Sequence, residues 1–483
     1  MQICWIAISL AAACAVQAPP PKPEPEPEPK RPNVLLVTLD TTRADRLGCY
    51  GHAKAETPRL DSIAASGTRF DRAISTAGRT PIAHASIMTG LNPYQHDVRV
   101  FFGEAGHHLL SSVPTLAEIL ADHGYATAAE LSSYPVSEAY GFQRGFGEFD
   151  CGVDLSKIDL SQTMEQDTVW VDAGANRVQR RSDATTDRAL GWLEKQAAEK
   201  NWFLWVHYFD THDFGLVPPV AFAKAHHIDY ADAPQIKPAA ARRDWIYDLE
   251  LAYVDSQFGR LLDAIAARGE TEETLIVVLA DHGQGLLDGE KRHGWSQHGI
   301  LYDWCIRVPL LIRLPAKSAQ TPHVVPQLVR NIDVFPTILE ALGLAAPAPI
   351  EGQSLLPLVM GKNDESEPRT AYAEALCLID VHGGAVPERS HDNLFMTMNE
   401  RWKLIWHATK PAESELFDLA TDPLELKNVA EANPAIVEQL RASLEARGAF
   451  TIRKPGEAEQ DPKAKALLNA LGYGKDGKKK DDE

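Results

Sequence analysis

Short, uninterrupted apolar runs alternate with amphipathic helical segments along most of this chain. The runs "NVLLVTLD", "FLWVHYFD" and "TLIVVLAD" are of this kind, and "DATTDRALGWLEKQAAEK" is one of the helical segments between them. A strand that is apolar on both faces is typical of a parallel sheet covered by helices on both sides. The alternation therefore predicts an α/β fold with a large, mainly parallel sheet sandwiched by helices.

The pattern changes after residue 365. The stretches "RWKLIWH" and "ELFDLATDP" predict a short antiparallel meander, and "NPAIVEQLRASLEARG" predicts a helix that packs on it. We expect a main domain over residues 32–365 and a smaller C-terminal α+β subdomain over residues 366–450. Residues 451–483 are strongly charged, and this composition predicts a disordered tail.

The N-terminus is interpreted as a targeting segment. Residues 1–18 form a short apolar run, too short to span a membrane in the mature protein. "LAAAC" resembles a bacterial lipoprotein processing site, so that a lipidated Cys14 would anchor the protein to a membrane; a plain signal peptide cut near Ala18 is the alternative. Residues 19–31 are rich in Pro and Glu and predict an extended linker. We therefore expect an exported protein, periplasmic or on the outer surface.

The net charge of −19, from 67 acidic and 48 basic residues, limits the partners. A chain this acidic is a poor ligand for nucleic acid, which we exclude as a partner. An anionic substrate would be repelled by the overall field unless bound cations reversed the sign locally.

Three of the apolar runs end in aspartate. Asp40 ends the first run, Asp210 ends the second and is followed by His212, and Asp281 ends the third and is followed by His282. Because ligands bind at the carboxyl ends of parallel strands, we expect these side chains to converge on one rim of the sheet. Carboxylate oxygen and imidazole nitrogen are ligands for zinc, manganese and similar divalent ions. The sequence therefore predicts a metal site.

Two further histidines, His293 and His298, lie in the glycine-containing stretch "RHGWSQHGILYDW" shortly after Asp281. Taken alone, each is more often a surface or core histidine than a ligand. Beside a metal rim, His298 is the better candidate for a late metal ligand.

Thr80 opens the segment "TPIAHASIMTG", in which Thr-Pro is typical of the start of a helix. Local sequence favours a capping role for its hydroxyl. The alternative is a nucleophile at a helix N-terminus, where free amides and the helix dipole favour an anion and a metal ion could activate the hydroxyl.

Residues 32 to about 445 resemble the sulfatase family of the alkaline phosphatase superfamily. The motifs that carry this resemblance occur in the family's order: "PNVLLVTLDTTRADRLGCYGH", "RTPIAHASIMTGLNPYQHDVR", "FLWVHYFDTHDF", "VVLADHGQGL", "HGILYDWCIRVPLLI", "RNIDVFPTILEALGL", "RWKLIWH" and "ELFDLATDPLELKNVA".

The resemblance implies that Asp40, Asp281 and His282 are metal ligands and that Thr80 occupies the nucleophile position. Typical sulfatases carry there a Cys or Ser that is oxidised to formylglycine within a C/S-x-P-x-R pattern. Thr cannot be matured in this way, and the chain departs from the pattern at its first, third and fifth positions. Thr41 also replaces the second Asp ligand that sulfatases usually place after the first.

The same departures resemble the superfamily's phosphatases and phosphodiesterases, which use an unmodified Thr or Ser and two divalent metals. The resemblance implies a second ion held by Asp210, His212 and His298, with zinc or manganese favoured. In a sulfatase-like site with one ion, calcium is the alternative and His212 would bind the substrate. His84 would bind the ester's non-bridging oxygens, and His293 could protonate the leaving group.

Together these residues predict a metal-dependent hydrolase of sulfate or phosphate-type esters that acts on a small anionic ester through a covalent Thr80 intermediate. One alternative is a phospho-group transferase that uses the same double displacement. The other is a catalytically inactive, sulfatase-like binding protein.

Overall fold

The computed structural model describes residues 31–99, 108–152, 179–212, 218–226, 239–286, 300–362, 368–376 and 392–452. The predicted targeting segment with Cys14, nearly all of the linker and almost the whole charged tail lie outside these ranges. No helix within them combines the length and apolar character that crossing a membrane requires.

The described strands are β1 Asn33–Leu39, β2 Thr68–Ile74, β3 Ala126–Glu130, β4 Glu148–Asp150, β5 Trp202–Tyr208, β6 Thr274–Ala280, β7 Arg307–Val308, β8 Leu310–Arg313, β9 His323–Arg330, β10 Ala371–Ala375, β11 Leu394–Met398, β12 Trp402–His407 and β13 Glu415–Asp418. The described α-helices are α1 Pro58–Ser66, α2 Thr80–Thr89, α3 Pro93–His96, α4 Leu116–Asp122, α5 Ser182–Leu193, α6 Val220–Ala225, α7 Ala239–Ala267, α8 Asp303–Ile306, α9 Val334–Ala341, α10 Leu356–Val359 and α11 Pro434–Ala446.

Nine of these strands form the main sheet, in the order β4-β3-β5-β1-β6-β8-β2-β7, with β9 also paired to β2. Strands β4, β3, β5, β1 and β6 run parallel to one another, whereas β8 is antiparallel to both β6 and β2. Every residue of β1, β5 and β6 is buried, as their continuous apolar sequences require. The predicted fold class, a mainly parallel α/β sheet with helices, is confirmed.

A second, four-stranded antiparallel sheet has the order β10-β11-β12-β13. Its β12–β13 pair is the meander predicted from "RWKLIWH" and "ELFDLATDP". Helix α11 buries Leu440 in one apolar cluster with Leu404 and Leu416 of this sheet, and Leu444 in another with Phe395. The C-terminal α+β unit is thus present, while its boundary at residue 366 stays a prediction.

Candidate active site

Strand register brings two of the predicted carboxylates together. Leu39 of β1 pairs with Ala280 of β6, so that Asp40 and Asp281 leave neighbouring parallel strands at the same level. On the other side of β1, Leu39 pairs with Tyr208 of β5, and the Asp40 amide donates to the Tyr208 carbonyl at 2.8 Å. The carboxyl ends of the three central strands therefore form the floor of one site.

Asp40, Asp281 and His282 form a cluster that could hold a metal ion. All three are fully buried, and each has a ligand atom within 4.8 Å of the others. The Nδ1 atom of His282 lies 2.9 Å from the Gly283 carbonyl, which can only accept a hydrogen bond, so Nδ1 carries the proton. The lone pair on Nε2 is then available to a metal, and the carbonyl fixes the ring orientation.

The two carboxylates differ in their surroundings. Burial and the nearby Asp281 charge raise the pKa of Asp40 well above its usual range. Burial also opposes ionisation of Asp281, but neighbouring histidines and the His282 amide outweigh it and lower the pKa. Asp281 Oδ1 accepts hydrogen bonds from the amides of Thr41 at 3.0 Å and His282 at 2.7 Å, and such bonds favour the ionised form.

The atoms that these carboxylates leave unpaired fit a divalent cation. Asp40 Oδ1 and Asp281 Oδ2 are buried and have no hydrogen-bond partner in the described part of the chain. Two buried carboxylates close together are costly unless a cation compensates them. Two oxygen donors and one imidazole nitrogen are a donor set that manganese and zinc accept.

The Thr80 hydroxyl does not cap helix α2, so the interpretation that local sequence favoured is wrong. The helix begins at Thr80 with Arg79 in the flanking position and has no side-chain cap. Instead, Thr80 Oγ1 donates to Asp40 Oδ2 at 3.2 Å and lies 3.3 Å from His282 Nε2. The predicted nucleophile is buried against the metal-ligand cluster.

His84 lies one turn further along α2 and is fully buried. Its Nδ1 lies 2.8 Å from the Thr80 carbonyl and therefore carries the proton. Burial lowers the pKa of His84 to about 3, which leaves Nε2 as an unprotonated acceptor. Binding of an ester oxygen by His84 would need a proton on Nε2, and that role stays a prediction.

Asp210 and His212 lie in a short 3-10 helix after β5, and their side chains have different partners. Asp210 Oδ1 accepts hydrogen bonds from the amide and the hydroxyl of Ser182, at 3.1 and 2.9 Å, at the start of α5. His212 stacks on Phe209 with ring centroids 4.3 Å apart, and burial together with the nearby His282 lowers its pKa to about 3. His293 and His298 lie outside the described residues, so the second metal site stays a prediction.

Sequence reasoning missed His207. This buried residue of β5 has its Nε2 3.4 Å from Asp40 Oδ2 and its ring 4.7 Å from that of His84. A histidine inside a strand that is otherwise apolar on both faces was the available signal. Burial lowers the pKa of His207 to about 4.

Comparison with known proteins shows which family the chain resembles. The sulfatase family model matches residues 32–344, and a model described as the C-terminal part of N-sulphoglucosamine sulphohydrolase matches residues 289–449. An arylsulfatase of Clostridium perfringens is 23% identical over 83% of this chain and 90% of its own. An N-acetylglucosamine-6-O-sulfatase of Bacteroides thetaiotaomicron is 24% identical over 83% of each chain.

Among solved structures, the phosphonate monoester hydrolase of Agrobacterium radiobacter superposes with a TM-score of 0.70 at 23% identity. The match covers 89% of this chain and 100% of that one. The matched sulfatase model spans most of the main domain and includes every described residue of the candidate site. The chain belongs to the sulfatase family, a family of ester hydrolases within the alkaline phosphatase superfamily.

Proposed function

We propose that the protein hydrolyses a small anionic ester of the sulfate or phosphate type through a covalent intermediate on Thr80. The observation that carries the proposal is the position of the Thr80 hydroxyl, 3.2 Å from Asp40 Oδ2 and 3.3 Å from His282 Nε2. A hydroxyl that only capped α2 would have no reason to face a carboxylate and an imidazole lone pair.

The residues present support one ion, held by Asp40, Asp281 and His282. When bound, a divalent cation would supply Lewis-acid stabilisation of the negative charge that develops on the nucleophile and on the ester. The chain's own residues do the remaining work. Asp40 Oδ2 is placed to take the Thr80 proton, and the Thr80 carbonyl is held by His84 Nδ1 at 2.8 Å, which fixes the first turn of α2.

The reaction is a double displacement. Thr80 Oγ1 attacks the sulfur or phosphorus atom of the ester and forms a bond to it, while the Thr80 proton passes to Asp40 Oδ2. The bond between that central atom and the oxygen of the leaving alcohol breaks. Water then attacks the same central atom and gives a proton to the residue that protonated the leaving group. The bond between Thr80 Oγ1 and the sulfur or phosphorus atom breaks, sulfate or phosphate is released, and the proton on Asp40 Oδ2 returns to Thr80. His293 remains the proposed proton donor to the leaving group, and His212, buried near His282, is the candidate that contacts the substrate.

Turnover of three chromogenic esters by the metal-loaded protein tests this function: 4-nitrophenyl sulfate, 4-nitrophenyl phosphate and 4-nitrophenyl phenylphosphonate. We expect Thr80→Ala to lower kcat/KM at least about 1,000-fold on the preferred ester, because removal of a covalent nucleophile disables the whole site. Thr80→Ser should retain measurable activity, because it keeps the hydroxyl.

Thr89→Ala is the matched control. Thr89 is a buried threonine of the same helix whose hydroxyl donates to the Ala85 carbonyl at 2.6 Å, away from the metal ligands. Wild-type turnover by folded Thr80→Ala would refute the nucleophile. Transfer of the phospho-group to an added alcohol in preference to water would favour the transferase, and absence of turnover on all three esters by metal-loaded protein would favour a binding protein.

A further inference from the structure

His207 belongs to a hydrogen-bonded chain in the interior of the sheet and lies beside the metal-ligand cluster. It lies on β5 directly opposite Thr38 of β1 in the parallel register. Both side chains are fully buried, as is Trp205, two residues earlier on the same strand. Buried polar groups in a sheet this apolar need hydrogen-bond partners, and here each polar side chain is the partner of the next one.

The chain favours a proton on Nε2 of His207 over one on Nδ1. Trp205 Nε1 donates to Thr38 Oγ1 at 2.9 Å, and an indole nitrogen can only donate. Thr38 Oγ1 lies 2.9 Å from His207 Nδ1, so its own hydroxyl proton is free to be donated to that nitrogen. Nδ1 is then the acceptor and Nε2 carries the proton. In the opposite tautomer, Nδ1 would not accept the Thr38 hydroxyl proton, and the lone pair on Nε2 would face the Asp40 carboxylate.

The proton on Nε2 faces Asp40. His207 Nε2 lies 3.4 Å from Asp40 Oδ2 without forming a hydrogen bond to it in the described residues, and the same oxygen accepts a hydrogen bond from Thr80. Asp40 Oδ1 has no hydrogen-bond partner within the described ranges. The two oxygens of the Asp40 carboxylate therefore have different surroundings: Oδ2 lies beside His207 and Thr80, and Oδ1 is available to a cation.

We propose that His207 is a positioning residue, which orients Asp40 so that Oδ1 is presented to the metal ion, and that Trp205 and Thr38 set its tautomer. This inference rests on the metal site of the proposed function but not on the chemistry of Thr80. Outer-shell partners of this kind orient metal ligands and raise metal affinity. The edge-to-face contact with His84, at 4.7 Å between ring centroids, holds the His207 ring from its other side.

Calorimetric titration of Mn²⁺ into the metal-stripped protein, without substrate, tests the proposal. His207→Leu removes the donor, and we expect it to weaken Mn²⁺ binding about 10- to 100-fold. His207→Gln keeps an N–H near the position of Nε2 and should restore most of the affinity. Thr38→Val keeps the side-chain volume but frees the tautomer, so an intermediate loss is expected.

His96→Gln is the matched control. His96 is equally buried and bonded through both nitrogens, to Ser86 Oγ at 3.0 Å and the Val98 amide at 3.1 Å, but has no described contact with the three metal ligands. Its Mn²⁺ affinity should match the wild type. The titration uses neither substrate nor turnover, so a failure of the Thr80 chemistry leaves this test intact.

Wild-type affinity in folded His207→Leu would overturn the proposal, as would equal losses in His207→Leu and His207→Gln, because equal losses indicate packing alone. If His207→Leu does not fold, the Mn²⁺ affinity of Thr38→Val tests the proposal instead. Unchanged affinity in that variant would overturn the claim that Thr38 sets the tautomer through which His207 orients Asp40, and weaker binding would support it.

Discussion

Thr80 and Asp40 are 40 positions apart in the chain, and their side chains meet at 3.2 Å in the buried floor of the site. Asp40 follows β1, whereas Thr80 begins the helix that follows β2. The contact joins the predicted nucleophile to a predicted metal ligand. It therefore links the two parts of the proposed function, and each part can be perturbed separately.

Replacing Asp281 by Asn tests the metal part. The substitution removes one of two negative charges in the cluster, and we expect Mn²⁺ affinity to fall by more than the roughly 10- to 100-fold that loss of an outer-shell partner costs. Turnover at limiting metal should fall in parallel. Asp263→Asn is the control, since that exposed carboxylate pairs with Arg59 at the surface. Equal Mn²⁺ affinity in the two variants would contradict the assignment of Asp281.

Thr41→Asp tests why this site differs from the usual sulfatase pattern. Thr41 adopts a left-handed backbone with φ of 48°, which is unfavourable for a β-branched residue and better tolerated by Asp. A third carboxylate would favour a hard cation with oxygen ligands. We expect the ratio of Ca²⁺ to Mn²⁺ affinity to rise at least about tenfold in competitive titrations. An unchanged ratio would show that residue 41 does not tune the ion.

Asp210→Asn separates the effect of Asp210 on stability, as a buried carboxyl group, from its predicted role as a metal ligand. Burial raises the pKa of Asp210 to about 6, so the folded, metal-free protein holds a proton that the unfolded chain releases near pH 4. The folded state binds more protons between these values, so Asp210 makes stability fall as pH rises from about 4 to 6. Asn should flatten this dependence in urea titrations of the metal-free protein. It should leave that protein more stable at pH 7, by roughly 1–3 kcal/mol.

The same variant bears on metal count. Elemental analysis of the wild type should give one ion per chain if Asp210 only holds the start of α5, and Asp210→Asn should not change that number. Two ions in the wild type and one in the variant would instead establish the predicted second site with His212 and His298.

Arg99→Met tests the connection between the main domain and the C-terminal unit. Arg99 is buried, pairs with Glu374 of β10 at 2.5 Å, and donates to the carbonyls of Ala449 and Thr451. Removing one partner of a buried pair typically costs about 3–5 kcal/mol, because it leaves the other charge uncompensated. We expect a loss of this size in denaturant unfolding. Arg441→Met, which breaks exposed pairs with Glu438 and Glu445, should have little effect, and equal effects would contradict the role of Arg99.

Much of the fold and the core of the site could be predicted because they follow from local pattern. The apolar runs of β1 and β6 are continuous, and Asp40 and Asp281 follow them directly, so strand register alone brings these two residues together. Asp210 could not be placed in this way. Phe209 stands between it and β5, and one extra residue followed by a turn was enough to direct its carboxylate to Ser182.

Other features depend on partners that are distant in the sequence. Nothing near Thr80 decides between a cap and an active-site hydroxyl, because the deciding contact is with Asp40. His207 was hidden for the same reason: its importance comes from Thr38 on the neighbouring strand and from Asp40 beyond it. Such contacts are set by the order of strands in the sheet, which the sequence pattern does not specify.

The most direct measurement of the central claim is mass spectrometry of the protein quenched with acid during turnover of its preferred ester. The account predicts a sulfo or phospho group on the peptide that contains Thr80, present in the wild type and absent in Thr80→Ala. Rapid turnover with no modified Thr80 at any quench time, or with the group on another residue, would contradict it.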